Sequence, residues 1–151
     1  DVTRFNLSEQ IRNAIILLEK KWLAKKIEFD LDFNDYDIEA NKKMLEQVWI
    51  NLLDNAIKFS PEDNIIEVSI KQNVQQIEIN ISNYGPKILE HDLKRIFEKF
   101  YQGDTSHASQ GTGIGLSIVS KIGALHKGNI TVTSDDKTTF KIILPIYQTN
   151  Q

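Results

Sequence analysis

Asn51-Leu52-Leu53-Asp54-Asn55-Ala56-Ile57-Lys58-Phe59-Ser60-Pro61 is the segment from which the rest of the chain can be placed. Leu52, Leu53, Ala56 and Ile57 recur at three- and four-residue spacing, the pattern of a helix with one buried face. Upstream, Met44, Leu45, Val48 and Trp49 continue that face, and Asn41 stands where an N-cap belongs. Ser60-Pro61 stops the helix, because a proline pushes the residue before it out of helical geometry. Asn51, Asn55 and Lys58 project together from the edge of the apolar face. Two amides and an ammonium beside a core require a polar counterpart. Two readings fit: a solvated helix edge, or a set that receives Mg²⁺ and phosphate oxygens. An amide carbonyl is a hard oxygen ligand, and lysine supplies positive charge.

The flanking segments predict the layers around this helix. Before it, Val2, Arg4, Phe5 and Leu7 read as a short strand, with Ser8 as the N-cap of a helix running to about Lys26. Ile11, Ile15, Leu18 and Trp22 form that helix's buried stripe. Ile27, Phe29, Leu31 and Phe33 then alternate with Glu28, Asp30 and Asp32 as in a half-buried strand, and residues 36–39 form another. After it, Ile66, Val68 and Ile70 and then Ile77, Ile79 and Ile81 alternate across a turn near Asn73, as antiparallel neighbours do. Residues 92–97 read as a short helix and residues 102–112, rich in Gly, Ser, Thr and Gln, as a mobile loop. A third long helix carries Ile114, Ile118, Ile122 and Leu125 and ends at Gly128-Asn129; strands at 130–134 and 138–146 close the chain. Without a regular strand-helix-strand alternation, this order predicts an α+β two-layer sandwich. About three helices cover one face of a mixed, mostly antiparallel sheet.

Composition narrows the function. At 151 residues the chain is long enough for a single domain spanning 1–151, and 26% charged against 40% hydrophobic residues argues against disorder. With 18 Lys plus Arg against 21 Asp plus Glu, no basic excess is available for a nucleic-acid backbone. The absence of cysteine removes thiol nucleophiles, thiolate metal sites and disulfides. The longest apolar run, Ala14-Ile15-Ile16-Leu17-Leu18, falls far short of the roughly 18 residues that span a bilayer.

Two further motifs carry chemistry. In Gly111-Thr112-Gly113-Ile114-Gly115-Leu116, alternate glycines precede a helix whose free amides suit an anion, either as a phosphate cradle or as a structural hinge. In Asn83-Tyr84-Gly85-Pro86-Lys87-Ile88, at a strand end, Asn83 could offer a carbonyl to an exocyclic amine and Gly85 let a flat base approach; taken alone, the motif reads first as an ordinary strand-to-helix turn. Together the three motifs resemble the ATP-binding catalytic domain of sensor histidine kinases. That domain belongs to the GHKL superfamily, with the gyrase, heat-shock chaperone and mismatch-repair ATPases. The segment 51–61 resembles the N box, Ile96-Phe97-Glu98-Lys99-Phe100-Tyr101 the F box, and 111–119 the second glycine box.

The resemblance implies a Bergerat ATP-binding fold with an ATP lid, and ATP and Mg²⁺ as cofactors. It implies that Asn55 coordinates Mg²⁺ with Asn51 nearby, that Lys58 touches phosphate, and that Phe59 lines the base or sugar. Asn83 matches the adenine-binding aspartate, Gly85 the glycine beneath the base, and Thr138 a supporting threonine. Arg95 and Lys99 reach phosphates, Phe97 and Phe100 anchor the lid, and Gly111, Gly113 and Gly115 let it close. Ile88, Tyr101, Thr112 and Leu116 fall in the same nucleotide-binding set. Three positions depart from the pattern: Asn83 for aspartate, Lys87 for a glycine, and Gln102 for a basic lid residue. An amide at 83 keeps the acceptor but lowers the hydrogen bond from about 1.5–3 to about 0.5–1.5 kcal/mol. Asn51 replaces the water-activating glutamate of the hydrolysing relatives, so hydrolysis is expected to be slow.

The implied reaction is γ-phosphate transfer to a histidine on a separate dimerisation and phosphoacceptor domain that this chain lacks, with a response regulator downstream. The implied setting is the cytoplasmic part of a membrane-anchored, homodimeric kinase, this segment itself being monomeric. Two alternatives are a nucleotide-sensing or partner-binding module without transferase activity, favoured by Asn83, Lys87 and Gln102, and an anti-sigma-type serine kinase. His91, His107 and His126 are read as surface residues, since none starts a long dimerisation helix. Trp22, Trp49 and Met44 are read as core, and Glu28, Asp30, Asp32 and Asp35 as a solvated strand face.

Overall fold

The computed structural model describes residues 1–98 and 115–148. Within them β2 (Glu28–Asp32), β4 (Ile65–Gln72), β5 (Gln76–Asn83), β7 (Thr138–Pro145) and β6 (Asn129–Ser134) form one sheet in that order. The β2–β4 pair is parallel and the other three are antiparallel, a mixed, mostly antiparallel sheet as expected, with β4 and β5 the antiparallel neighbours that the alternation at 66–70 and 77–81 predicts. Every second residue of the inner strands faces one side. Ile66, Val68 and Ile70, then Ile77, Ile79 and Ile81, then Phe140, Ile142 and Leu144 are all buried in one core. They pack with the apolar faces of α1 (Leu7–Leu17), α3 (Lys42–Phe59) and α5 (Gly115–Leu125). The opposite face is polar: Ser69, Lys71, Asn80 and Lys141 are among the residues around a shallow depression of about 540 Å³. A second, two-stranded sheet pairs β1 (Thr3–Asn6) with β3 (Asp37–Ala40).

Four local expectations are corrected. The first long helix is two helices, because the chain turns at Leu18 before α2 (Glu19–Ala24); the carbonyl of Ile15 there accepts both the backbone N–H of Leu18 at 3.1 Å and the indole N–H of Trp22 at 2.9 Å. The N-cap of α1 is Asn6, whose side chain accepts from the N–H of Glu9. Ser8 Oγ is already engaged, donating to Asn34 O and accepting from Tyr36 N–H. Met44 lies at the margin of α3, 36% exposed, because Asn41 caps the helix there and the buried face begins at Leu45. His126 is buried, with both ring nitrogens in use: one lies 2.9 Å from Ile122 O and the other accepts from Asn41 N–H. His91 is exposed, as expected, but sits within α4 (Glu90–Leu93).

One polar link crosses the core between α1 and α3. Gln10 donates to Lys42 O at 2.8 Å and accepts from the indole N–H of Trp49, itself fully buried, at 2.8 Å. Removing it leaves the buried indole N–H of Trp49 without its partner. Gln10→Ala is expected to cost about 1–3 kcal/mol in urea unfolding at unchanged m-value. A change within about 0.5 kcal/mol would show that water replaces the amide.

Candidate functional site

α3 builds the first wall. Its N-cap, Asn41, accepts from Met44 N–H at 3.0 Å, and Leu45, Val48, Trp49, Leu52, Leu53, Ala56 and Ile57 bury one face. That leaves Asn51 and Asn55 half-buried at the edge, one turn apart, and Lys58 exposed. The Lys58 ammonium pairs with Asp54 at 3.3 Å, and Lys21 holds the same carboxylate at 2.9 Å. In this structure Lys58 therefore lies along the helix. The C-terminal end of α3 is closed by Lys25, whose ammonium donates to the carbonyls of Ile57 and Lys58. Partial burial draws the Lys25 pKa below the ordinary lysine value.

Two glycines bring the other motifs to this helix. Gly115, the first residue of α5, sits over Asn51: a Cβ built there would lie 3.4 Å from Asn51 Oδ1, an ordinary contact distance. At Gly85 a Cβ would overlap the carbonyl oxygen of Phe59. Glycine is thus required there because the loop after β5 lies backbone against backbone on the last turn of α3. The same loop places Asn83 Nδ2 3.1 Å from that Cβ position.

The loop is pinned from the other side by strand-borne hydroxyls. Asn83 pairs in register with Thr138 across β5 and β7. Thr138 Oγ1 lies 2.7 Å from Ser134 Oγ, which accepts the backbone N–H of Ile88 at 2.9 Å. Asn83, Ile88, Ser134 and Thr138 are all buried. Ser134 was not among the sequence candidates. The available signal was its position opposite Thr138 across the short 135–137 turn, which faces two hydroxyls in one hairpin.

The remaining candidates divide. Phe97 stacks edge-on against Phe140, with ring centroids 6.1 Å apart, which fixes the start of the F-box segment on the sheet. Arg95 is at the surface, in an ion pair with Glu98 at 3.1 Å. Leu116 is half-buried beside Gly115. Lys99, Phe100, Tyr101, Gln102, His107, Gly111, Thr112 and Gly113 lie outside the described residues. No cluster of three or more His, Cys, Asp or Glu residues suited to a metal occurs among the described residues. The half-buried Asn55 amide on α3 offers a hard oxygen of the kind that fits a Mg²⁺ held mainly by phosphate oxygens and water.

A five-stranded mixed sheet, helices on one face, and an asparagine-bearing helix flanked by two glycine motifs define a nucleotide-binding α+β domain of the histidine-kinase catalytic type. Residues 40–148 match the family model described as "Histidine kinase-, DNA gyrase B-, and HSP90-like ATPase", and the chain belongs to that family. Among curated relatives, it is 39% identical over 113 residues to the heme sensor protein HssS of Staphylococcus epidermidis, covering 75% of this chain and 24% of that one. It is 36% identical over 127 residues to the adaptive-response sensory kinase SasA of a Nostoc strain, covering 82% and 32%. The chain thus spans about a quarter to a third of those relatives' length. The catalytic domain of histidine kinase ThkA superposes with a TM-score of 0.88 at 32% identity, covering 97% of each chain. ThkA in complex with the response regulator TrrA superposes at 0.82 and 30% identity, covering 96% of this chain and 42% of that one.

Proposed function

We propose that residues 1–151 form a single catalytic domain that binds Mg²⁺-ATP and presents its γ-phosphate to a histidine on a separate dimerisation and phosphoacceptor domain. A response regulator would be the next acceptor, and the parent protein a homodimeric, membrane-anchored sensor kinase with this domain in the cytoplasm. The observation that carries the reading is convergence: Asn51 meets Gly115, and the end of α3 meets Gly85 and Asn83. Three sequence-distant motifs share the C-terminal half of one helix. ThkA, similar in fold and sequence, is a histidine kinase seen with its response regulator.

In this reading the base lies at the Asn83 end, supported by Gly85, Ile88 and Thr138, with Phe59 beside it. The phosphates run along α3 toward Asn55 and the amides that begin α5. Mg²⁺, when bound, neutralises phosphate charge and draws one ligand from Asn55. Lys58 leaves Asp54 to meet phosphate, and the family resemblance adds Arg95, Lys99, Tyr101, Gly111, Thr112 and Gly113 to the nucleotide-binding set. Asn51 takes up no proton at neutral pH, so it supplies no general base beside the γ-phosphate and water attack stays slow. The phosphoryl group is retained for an acceptor, and catalysis consists of positioning and charge neutralisation.

Calorimetric titration with a non-hydrolysable ATP analogue tests the reading. Saturable 1:1 binding is expected with Mg²⁺, weaker by about tenfold or more without it. Absence of binding at millimolar analogue would contradict it.

A further inference from the structure

The end of β5 carries a side chain with two opposite hydrogen-bonding capacities. Asn83 is 4% exposed, and its amide makes no hydrogen bond to a described residue. Its Nδ2 stands beside the bare backbone of Gly85. The nearest hydroxyl network does not hold it: Thr138 Oγ1 is engaged with Ser134 Oγ, and Ser134 Oγ with the Ile88 N–H. A primary amide sets an acceptor and a donor side by side, and a half-turn about its C–C bond exchanges them. A carboxylate in the same place only accepts.

Purines differ at positions 6 and 1 by that same exchange. Adenine donates from its 6-amino group and accepts at N1; hypoxanthine and guanine accept at O6 and donate from N1–H. In one orientation Asn83 Oδ1 accepts from the 6-amino group while Nδ2 donates to N1. In the other, Nδ2 donates to O6 while Oδ1 accepts from N1–H. Each pairing makes two bonds and leaves no buried group unpaired, whereas strong discrimination between ligands comes from leaving one unpaired. Resting on the nucleotide reading above, we propose that this site admits 6-oxopurine nucleoside triphosphates alongside adenine ones, and that Asn83 sets this tolerance.

The test titrates the full chain with ATP and with inosine triphosphate in Mg²⁺, because hypoxanthine differs from adenine only at positions 6 and 1. The two dissociation constants are expected to agree within about tenfold, and in Asn83→Asp, which can accept the single donor of either base and donate to neither acceptor, to change in the same direction with their ratio still within about tenfold. Asn83→Leu, which offers neither donor nor acceptor, is expected to weaken both nucleotides alike. Inosine triphosphate binding more than about tenfold weaker than ATP overturns the proposal and leaves the nucleotide reading intact. Parental affinity for both nucleotides in Asn83→Leu, or a loss confined to one of them, overturns the role of Asn83. Failure of the unmodified chain to bind ATP overturns the nucleotide reading itself.

Discussion

Asn55→Ala is expected to reduce Mg²⁺-dependent affinity for an ATP analogue by about tenfold or more, toward the level seen without the metal, while the thermal unfolding midpoint stays within a few degrees of the parent. Asn55 is half-buried at the margin of α3, outside the apolar face that Leu52, Leu53, Ala56 and Ile57 contribute to the core. Truncating it removes an oxygen ligand but no core methyl groups, so the loss falls on binding and not on folding. Affinity without Mg²⁺ should change much less. Equal losses with and without the metal would place Asn55 in general nucleotide contact instead, and unchanged affinity would remove it from the site.

Gly85→Ala is the second large effect, and it acts on both stability and binding. The new methyl group would overlap the carbonyl oxygen of Phe59, which α3 holds in place, so the loop after β5 must move away. Overpacking against backbone costs about 3 kcal/mol, a large share of the margin of a domain this size. The displaced loop carries Asn83 and Ile88, so nucleotide binding should fall even at temperatures where the variant remains folded. Urea unfolding measures the first effect and calorimetry the second. A variant with parental stability and parental affinity would show that the close approach of Gly85 to α3 is not needed.

Helix α3 and the paired strands β4 and β5 were legible in the sequence for simple physical reasons. Leu45 to Ile57 repeat at the helical period, Ile66 to Ile81 alternate at the strand period, and Asn41 and Ser60-Pro61 bound the helix by capping and by proline sterics. What pattern could not show were features decided by a tertiary partner. The break at Leu18 is accompanied by an indole bond to a carbonyl seven residues back, which no periodicity marks. Ser8 fits a cap by type, but its hydroxyl is taken by the 34–36 loop. His126 was legible only as the polar end of a helix; its burial follows from the N–H of Asn41, 85 residues away.

The candidate site divides the same way. The glycines and asparagines were visible as motifs, and their number and order carried the family resemblance. That Gly85 serves backbone contact with Phe59, that Lys58 lies against Asp54, and that Ser134 pins Ile88 are matters of packing, with no periodic signature to mark them.

Amide chemical-shift mapping with a non-hydrolysable ATP analogue and Mg²⁺ tests the central claim most directly, because it reads every described strand and helix at once. The account predicts that the largest changes fall together on Asn51, Asn55, Asn83, Gly85 and Gly115. Changes concentrated instead on Ser69, Asn80 and Lys141, at the depression on the opposite face of the sheet, would contradict it.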